Sequence, residues 1–254
     1  MMTGSPVPTH AMVLAAGLGL RMRPLTLTCP KPLLTVAGIT LLDHALDRLA
    51  AAGVGTAVVN YCYLGEMIAA HLAGRPEPRL ILSPEPEPLE TGGGIKRALP
   101  HLGDAPFVSA NADILWLDGA VPAVRRLAEA WESAQMDALL LMMPVERAHG
   151  YHGKGDFELA ADGRLVRPAK GASAPLVFSG VQIISPRLFD NTPEGPFSTN
   201  LVWDHALPAG RLRGLVHDGE WFHVGTPEAL QATNDWFDSH GEGLHDSGRL
   251  LVRR

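Results

Sequence analysis

Cysteine is scarce in this sequence. There are two, Cys29 and Cys62, far apart in 254 residues, and no CxxC or Cys/His zinc spacing occurs. That excludes a disulfide framework and a zinc ribbon. A single bridge between the two cysteines stays open, and a reducing cytoplasm is the simpler setting. Positive charge is short as well: 21 Lys and Arg stand against 27 Asp and Glu, a formal net charge of −6. Such a balance argues against a nucleic-acid or anionic-membrane partner, so any basic site must be local. No apolar run is long enough to span a bilayer. The segment "AMVLAAGLGL" has the apolar character of a signal core. It lacks a basic leader, and "RMRP" follows where small cleavage-site residues belong. The chain therefore reads as soluble and cytoplasmic. Internal repeats and a domain-dividing linker are also missing. At 46% hydrophobic and 19% charged residues, the composition is that of a globular chain with a substantial core.

What is present is alternation. "HAMVLAA" is a short apolar run ending at Gly17, as a buried strand would. "LLDHALDRLAAAG" puts Leu42, Ala45, Leu46 and Leu49 on one helical face, with Gly53 as its stop. "TAVVNY", "RLILS", "PFVSANAD" and "DALLLMMPV" read as further strands. "LGEMIAAHLAG", "GGIKRALPHLG" and "VPAVRRLAEAWESA" read as the helices between them. This spacing predicts an α/β fold with a doubly wound, mostly parallel sheet flanked by helices, and ligands at the carboxyl ends of its strands. Later segments are less regular. "DFELAADGRLV" predicts a hairpin turning at Asp162-Gly163, "PLVFSGVQIIS" a long strand, "TNLVWDHALPAG" a short helix, and "EWFHVGTPEALQATNDWF" a strand running into a helix. Residues 1–9 read as a flexible tail, 10–237 as one domain and 238–254 as a peripheral tail.

The stretch after the first strand carries the chemistry. Gly17 and Gly19 allow a sharp turn that brings backbone N–H groups close to an anion. Arg21, Arg23 and Lys31 add positive charge within the same loop, and Pro24, Pro30 and Pro32 restrict it. That combination is a polyphosphate cradle. It is not a Walker A loop, because no GxxxxGK[ST] is present. Nor is it a dinucleotide fingerprint, because Met22 stands where the third glycine belongs.

The run "LAAGLGLRMRPLTLTCPKPLL" closely resembles the signature of the sugar-1-phosphate nucleotidyltransferases. The resemblance continues through "PLETGGGIKRALPHLGDAPFVSANAD", "FSGVQIIS" and "HVGTPEAL", covering about residues 10 to 237. Within that family, "EPLETGGGI", "HGKGDF" and the short length are most similar to the N-acetylmuramate 1-phosphate uridylyltransferases of bacterial cell-wall recycling. The resemblance implies a Rossmann-like, GT-A-like nucleotidyltransferase fold. It implies transfer of UMP from UTP to a sugar 1-phosphate, with Mg²⁺ as cofactor and a UDP-sugar and pyrophosphate as products. A monomer or a small homo-oligomer is compatible with all of this.

Site residues follow from the same resemblance. Ala15, Ala16, Gly17, Gly19, Leu20, Arg21 and Lys31 would hold the nucleotide, with Thr91 and Gly92 nearest the base and Glu85 where relatives carry a base-reading side chain. Arg21, Lys31 and Asp113 would be catalytic, Asp113 as the metal ligand at a strand's carboxyl end. Relatives commonly carry aspartate in place of His223. His223 is thus either a second metal ligand or a group hydrogen-bonding phosphate or water. Asn111, Asp156, Arg167 and Gly180 would face the sugar phosphate, with Arg167 of "VRPAK" in place of the family's Glu-Lys-Pro lysine. His149 and His152 lack zinc spacing and read as a polar loop near the sugar. The nearest rival is the same chemistry with GTP and mannose 1-phosphate. A glycosyltransferase using "NAD" as a partial DxD, and a non-catalytic nucleotide-binding module, are rivals of other classes.

Overall fold

The structure is a computed structural model that describes residues 6–245, and the side chains of 6–240. The first half of the chain runs β1 (His10–Leu14), a hairpin of β2 (Thr35–Val36) and β3 (Ile39–Thr40), α1 (Leu41–Ala52), β4 (Thr56–Tyr61), α2 (Gly65–Leu72), β5 (Arg79–Pro84), α3 (Glu90–Leu102) and β6 (Phe107–Asn111). The second half runs β7 (Leu115–Leu117), α4 (Ala123–Ala130), β8 (Ala138–Pro144), β9 (Ala148–His149), β10 (Glu158–Leu159), β11 (Leu165–Val166), β12 (Leu176–Ile184), α5 (Asn200–Ala206), β13 (Leu212–Val216), β14 (Glu220–Phe222) and α6 (Pro227–His245).

Seven strands form the central sheet in the order β13-β8-β12-β6-β1-β4-β5. Every pairing is parallel except those of β12, which runs antiparallel to both β6 and β8. Both faces are covered, and this is why the strands read as unbroken apolar runs. Ala11 and Val13 of β1 point into one core with Ala57 and Val59, beneath Leu42 and Leu46 of α1 and Leu127 of α4. Met12 and Val58 point into the other, beneath Ile95 of α3 and Trp203 of α5. The alternation expected from the sequence is thus observed, including the stop of α1 at Gly53, whose φ of 107° is left-handed. Thr40 caps that helix by accepting from the Asp43 N–H at 3.0 Å.

A smaller sheet, β7-β14-β9, stands beside the main one. Its Leu115, Leu117 and Phe222 pack on Phe237 of α6 and on Met22 from the glycine loop. Met22 is fully buried. The residue that breaks the dinucleotide fingerprint therefore anchors the loop. Short β2, β3, β7, β9 and β13 were not legible in the sequence, because the smallest are too brief to show a period. β13 is interrupted by Arg213 and Gly214. Two boundaries also differ from the sequence reading. Val7 packs against the core and the Thr9 carbonyl accepts from the amides of Gly55 and Thr56, so the chain is already docked before His10. Helix α6 continues past residue 237 to His245. Residues 1–5 and 246–254, parts of the two expected tails, lie outside the described residues.

Candidate active site

A cleft of about 510 Å³ opens at the carboxyl ends of β1, β4, β5 and β6. Its floor is the glycine loop: Ala15, Ala16, Gly17, Gly19, Leu20 and Arg21 all line it. Gly19 takes φ 62°. A Cβ there would lie 3.0 Å from Thr26 Cγ2 and 3.2 Å from Lys31 Cβ, so only glycine lets the loop close on itself. The Gly19 carbonyl accepts from the Met22 amide at 2.9 Å and from the Thr26 hydroxyl at 2.8 Å. The amides of Ala16, Gly17, Leu18 and Gly19 have no protein acceptor among the described residues. A row of unpaired N–H groups is what a phosphate chain requires.

Lys31 and Asp113, 82 residues apart, meet at the mouth of this cleft. Lys31 Nζ donates to Asp113 Oδ2 at 2.8 Å. The lysine side chain is 7% exposed and the aspartate 42%. The ammonium is thus held by burial of its stem while the carboxylate faces solvent. Asn111, at the end of β6, and Thr91, in the first turn of α3, line the same cleft. Gly225 also lines the cleft, against the His223 ring: a Cβ on Gly225 would lie 2.4 Å from His223 Nε2. Burial lowers the His223 pKa, the charges of Lys31, Arg21 and His152 lower it further, and Asp113 opposes them. The imidazole is therefore neutral at pH 7.

The MobA-like NTP transferase domain matches residues 11–193. The chain is 46% identical to N-acetylmuramate alpha-1-phosphate uridylyltransferase of Caulobacter vibrioides, over 90% of this chain and 96% of that one. It is 38% identical to the protein of the same name from Neisseria meningitidis serogroup B, over 85% and 93%. The chain belongs to the MobA-like NTP transferase domain family. It is a nucleotidyltransferase. Among solved structures, UDP-glucose pyrophosphorylase complexed with UDP-glucose superposes with a TM-score of 0.72 at 18% identity, covering 91% of this chain and 98% of that one, which shows the shared fold.

Several residues that the resemblance assigned to this NTP transferase's site have other partners. The glycine run does not precede α3 but forms its first turns. Gly92 does not line the cleft; its amide donates to the Phe197 carbonyl at 2.7 Å, and a Cβ would strike the Phe197 ring at 2.4 Å. It is a packing glycine. Asp156 Oδ2 accepts from the Phe178 amide at 2.8 Å, pinning β12. Arg167 pairs with Asp204 at 2.9 Å, donates to Asn200 and lies 4.5 Å over the Phe157 ring. Its guanidinium is engaged by these partners and does not line the cleft, because a fork of donors takes the nearest acceptors. Gly180, at φ 88°, sits in an irregular stretch of β12 and leaves room for Asn111, whose Cβ would be 3.3 Å from a methyl there. It supports a cleft residue without lining the cleft. Glu85 does line it, but both its oxygens are engaged, by Asn60 and Leu89. His149 stacks on Phe222 at 4.6 Å and meets Glu220 at 2.8 Å in a separate polar recess, and not in a shared loop site with His152.

The sequence reading missed Asn60, Leu89, Glu90 and Gly225 as cleft residues. Asn60 was findable: a polar residue closing the apolar run "TAVV" sits at a strand's carboxyl end, where ligands bind. Glu90 carries no such signal. Its φ of 57° is left-handed without glycine, a strain placed at the cleft's edge. Among the described residues no helix is long and apolar enough to cross a membrane.

Proposed function

We propose that this protein transfers UMP from UTP to N-acetylmuramate 1-phosphate, releasing pyrophosphate. The observation that carries the reading is the Lys31–Asp113 pair set at the mouth of a cradle of unpaired amides. The names of the two relatives supply the sugar and the base.

In this reading an oxygen of the sugar phosphate attacks the α-phosphorus of UTP. A new P–O bond forms, the bond from the α-phosphorus to the bridging oxygen breaks, and pyrophosphate leaves with that electron pair. No general base is needed, because a phosphate monoester with a second pKa of about 6 is already mostly ionised at neutral pH. The barrier is charge crowding and alignment, so positioning and electrostatics supply the catalysis. Loop amides orient the phosphates, Arg21 faces the departing pyrophosphate, and Lys31 neutralises charge growing at the α-phosphate. Asn111 would contact the sugar or the ribose.

Among the described residues no group of three or more His, Cys, Asp or Glu side chains could hold a metal alone. The donor set nevertheless fits Mg²⁺. That ion keeps several waters and needs only one or two carboxylates beside substrate phosphates. Asp113, half-exposed at the cleft mouth, is such a carboxylate. Mg²⁺ held there would neutralise phosphate charge. Imidazole is a poorer partner for so hard an ion, so His223 fills a ligand's place beside the metal without binding it. Free thiols at Cys29 and Cys62 suit a cytoplasmic setting.

Pyrophosphate release tests the reading. Four nucleoside triphosphates are each mixed with a panel of sugar 1-phosphates and Mg²⁺. The expected result is fastest release with UTP and N-acetylmuramate 1-phosphate. A faster reaction with GTP and mannose 1-phosphate would transfer the assignment to the guanylyl rival, and no release with any pair would overturn it.

A further inference from the structure

One chain of hydrogen bonds beneath the cleft has a polarity that a single side chain determines. The Ala15 amide donates to Asn60 Oδ1 at 2.8 Å. Asn60 Nδ2 donates to Glu85 Oε1 at 2.7 Å. From the other side, the Leu89 amide donates to Glu85 Oε2 at 3.0 Å. Asn60 and Glu85 are 1% and 5% exposed, and α3 lies directly on them. A Cβ on Gly94 would come within 2.7 Å of Asn60 Nδ2 and 2.9 Å of Glu85 Oε1.

Both ends of this chain are backbone N–H groups, and both point inward. A backbone amide cannot reverse itself. Asn60 can pass the direction along, since its carboxamide accepts at one atom and donates at the other. Somewhere between two inward donors there must be a group that accepts on both sides. Glu85 is that group: its carboxyl accepts at both oxygens, which a neutral carboxamide cannot do. A glutamine there would put an NH₂ against either the Leu89 amide or Asn60 Nδ2. Flipping Asn60 in response would only move the donor–donor clash to Ala15.

Glu85 is thus a buried carboxyl group in a cleft read as taking a polyanion, and among the described residues it forms no ion pair. Its two hydrogen bonds offset the cost of that burial in part. They also tie the first amide of the glycine loop to the residue that opens α3. Ala15 and Leu89 both line the cleft.

We propose that Glu85 is a positioning residue: as the double acceptor of the Ala15–Asn60–Glu85–Leu89 relay it sets the width of the slot that takes the nucleoside of UTP. This rests on the reading of the cleft as a nucleotide site. It assigns Glu85 a role through its neighbours in place of direct base reading. A slot width acts on ground state and transition state alike, so its loss raises KM and largely spares kcat.

The test moves the double acceptor along the chain. In Glu85→Gln the chain is frustrated. In Asn60→Asp the two carboxylates face each other. In the double variant Asn60→Asp/Glu85→Gln the directions balance again: the new carboxylate accepts from Ala15 and from the new amide, which in turn accepts from Leu89. Each protein is assayed for KM of UTP, kcat and thermal midpoint. The expected result is a rise in KM of about tenfold in each single variant with kcat little changed, the loss of one buried bond's worth of binding. The double variant should return to within about threefold of wild type, with its midpoint regained. Wild-type KM in Glu85→Gln would overturn the proposal. So would a double variant no better than the worse single one, or singles and double that all fail to fold. Single variants that fail to fold beside a folded, active double variant would support it. If the wild type turned over no nucleotide, the proposed function would fall, while recovery of the midpoint in the double variant would still uphold the relay and its absence would sink it.

Discussion

The two halves of the sheet treat their polar residues differently. From His10 to Asp113, polar and glycine residues gather at the carboxyl ends of adjacent parallel strands, and nearly the whole cleft wall comes from them. From Ile114 onward, among the described residues, only Gly225 reaches that wall. There the charged groups close on one another. Arg187 and Arg211 both bind Asp137, Arg167 binds Asp204, and Arg126 binds Asp218. The reason is topological. Parallel strands of a βαβ series all end on one edge, so their loops meet there. In the second half β12 alone among the described strands of this sheet is reversed, so its carboxyl end lies on the opposite edge, where Arg187 and Arg211 meet Asp137. The first half can concentrate a site, whereas the second half spends its charges on holding strands in register.

Breaking this contrast should have its largest effect in the first half. Lys31→Ala is expected to lower turnover about 10²–10³-fold, the usual consequence of removing one preorganised contact to developing charge. UTP binding should change far less, because the contact is stronger in the transition state than in the ground state. Stopped-flow turnover and calorimetric binding of UTP check the two parts. Near-normal turnover would remove Lys31 from the catalytic group.

The second-largest effect lies at the joint between the halves. His44 on α1 bonds the Val36 carbonyl at 2.9 Å and faces Phe237 of α6. Burial, helped by nearby Arg48, lowers its pKa from 6.5 to about 4. The unfolded chain therefore takes up a proton that the folded chain refuses. Stability is full above about pH 6.5, falls as the pH drops to about 4, and levels off below that. At about 1.4 kcal/mol per pH unit, the loss is on the order of 3 kcal/mol. Urea unfolding at pH 7.5 and 4.5 should show it, and His44→Gln should flatten the slope. An unchanged slope in that variant would assign the acid lability elsewhere.

His223→Asp sharpens the comparison by giving the second half a hard oxygen ligand at the cleft. Half-saturating Mg²⁺ should fall about severalfold, with turnover preserved. A variant that needs more Mg²⁺ than wild type would mean instead that His223 contacts phosphate. The smallest effect is expected from Arg167→Ala. KM for the sugar phosphate should stay within about twofold of wild type. Stability should fall by no more than about 1 kcal/mol, the worth of an exposed ion pair with a cation–π contact. A large rise in that KM would restore Arg167 to the sugar site.

By itself the sequence determined what depends on neighbours along the chain. Strand–helix alternation, the stop of α1 at Gly53, and the loop holding Gly17, Gly19, Arg21 and Lys31 are all local patterns of hydrophobic period, backbone freedom and charge. These need no knowledge of what lies across the fold. The tertiary structure alone decided which polar groups stay available. Lys31 finds Asp113 at a separation of 82 residues, Thr91 reaches Thr199 at 108, and Glu85 becomes the end of two donor chains. Gly92, Asp156 and Arg167 look much the same in one dimension as the residues that line the cleft do. Each is withdrawn by a partner the sequence does not place beside it: Phe197, Phe178 or Asp204. Hydrogen-bonding capacity is finite and is satisfied by whatever lies within about 3 Å, so a side chain's chemistry is written in the sequence but its use is settled by its neighbours in space.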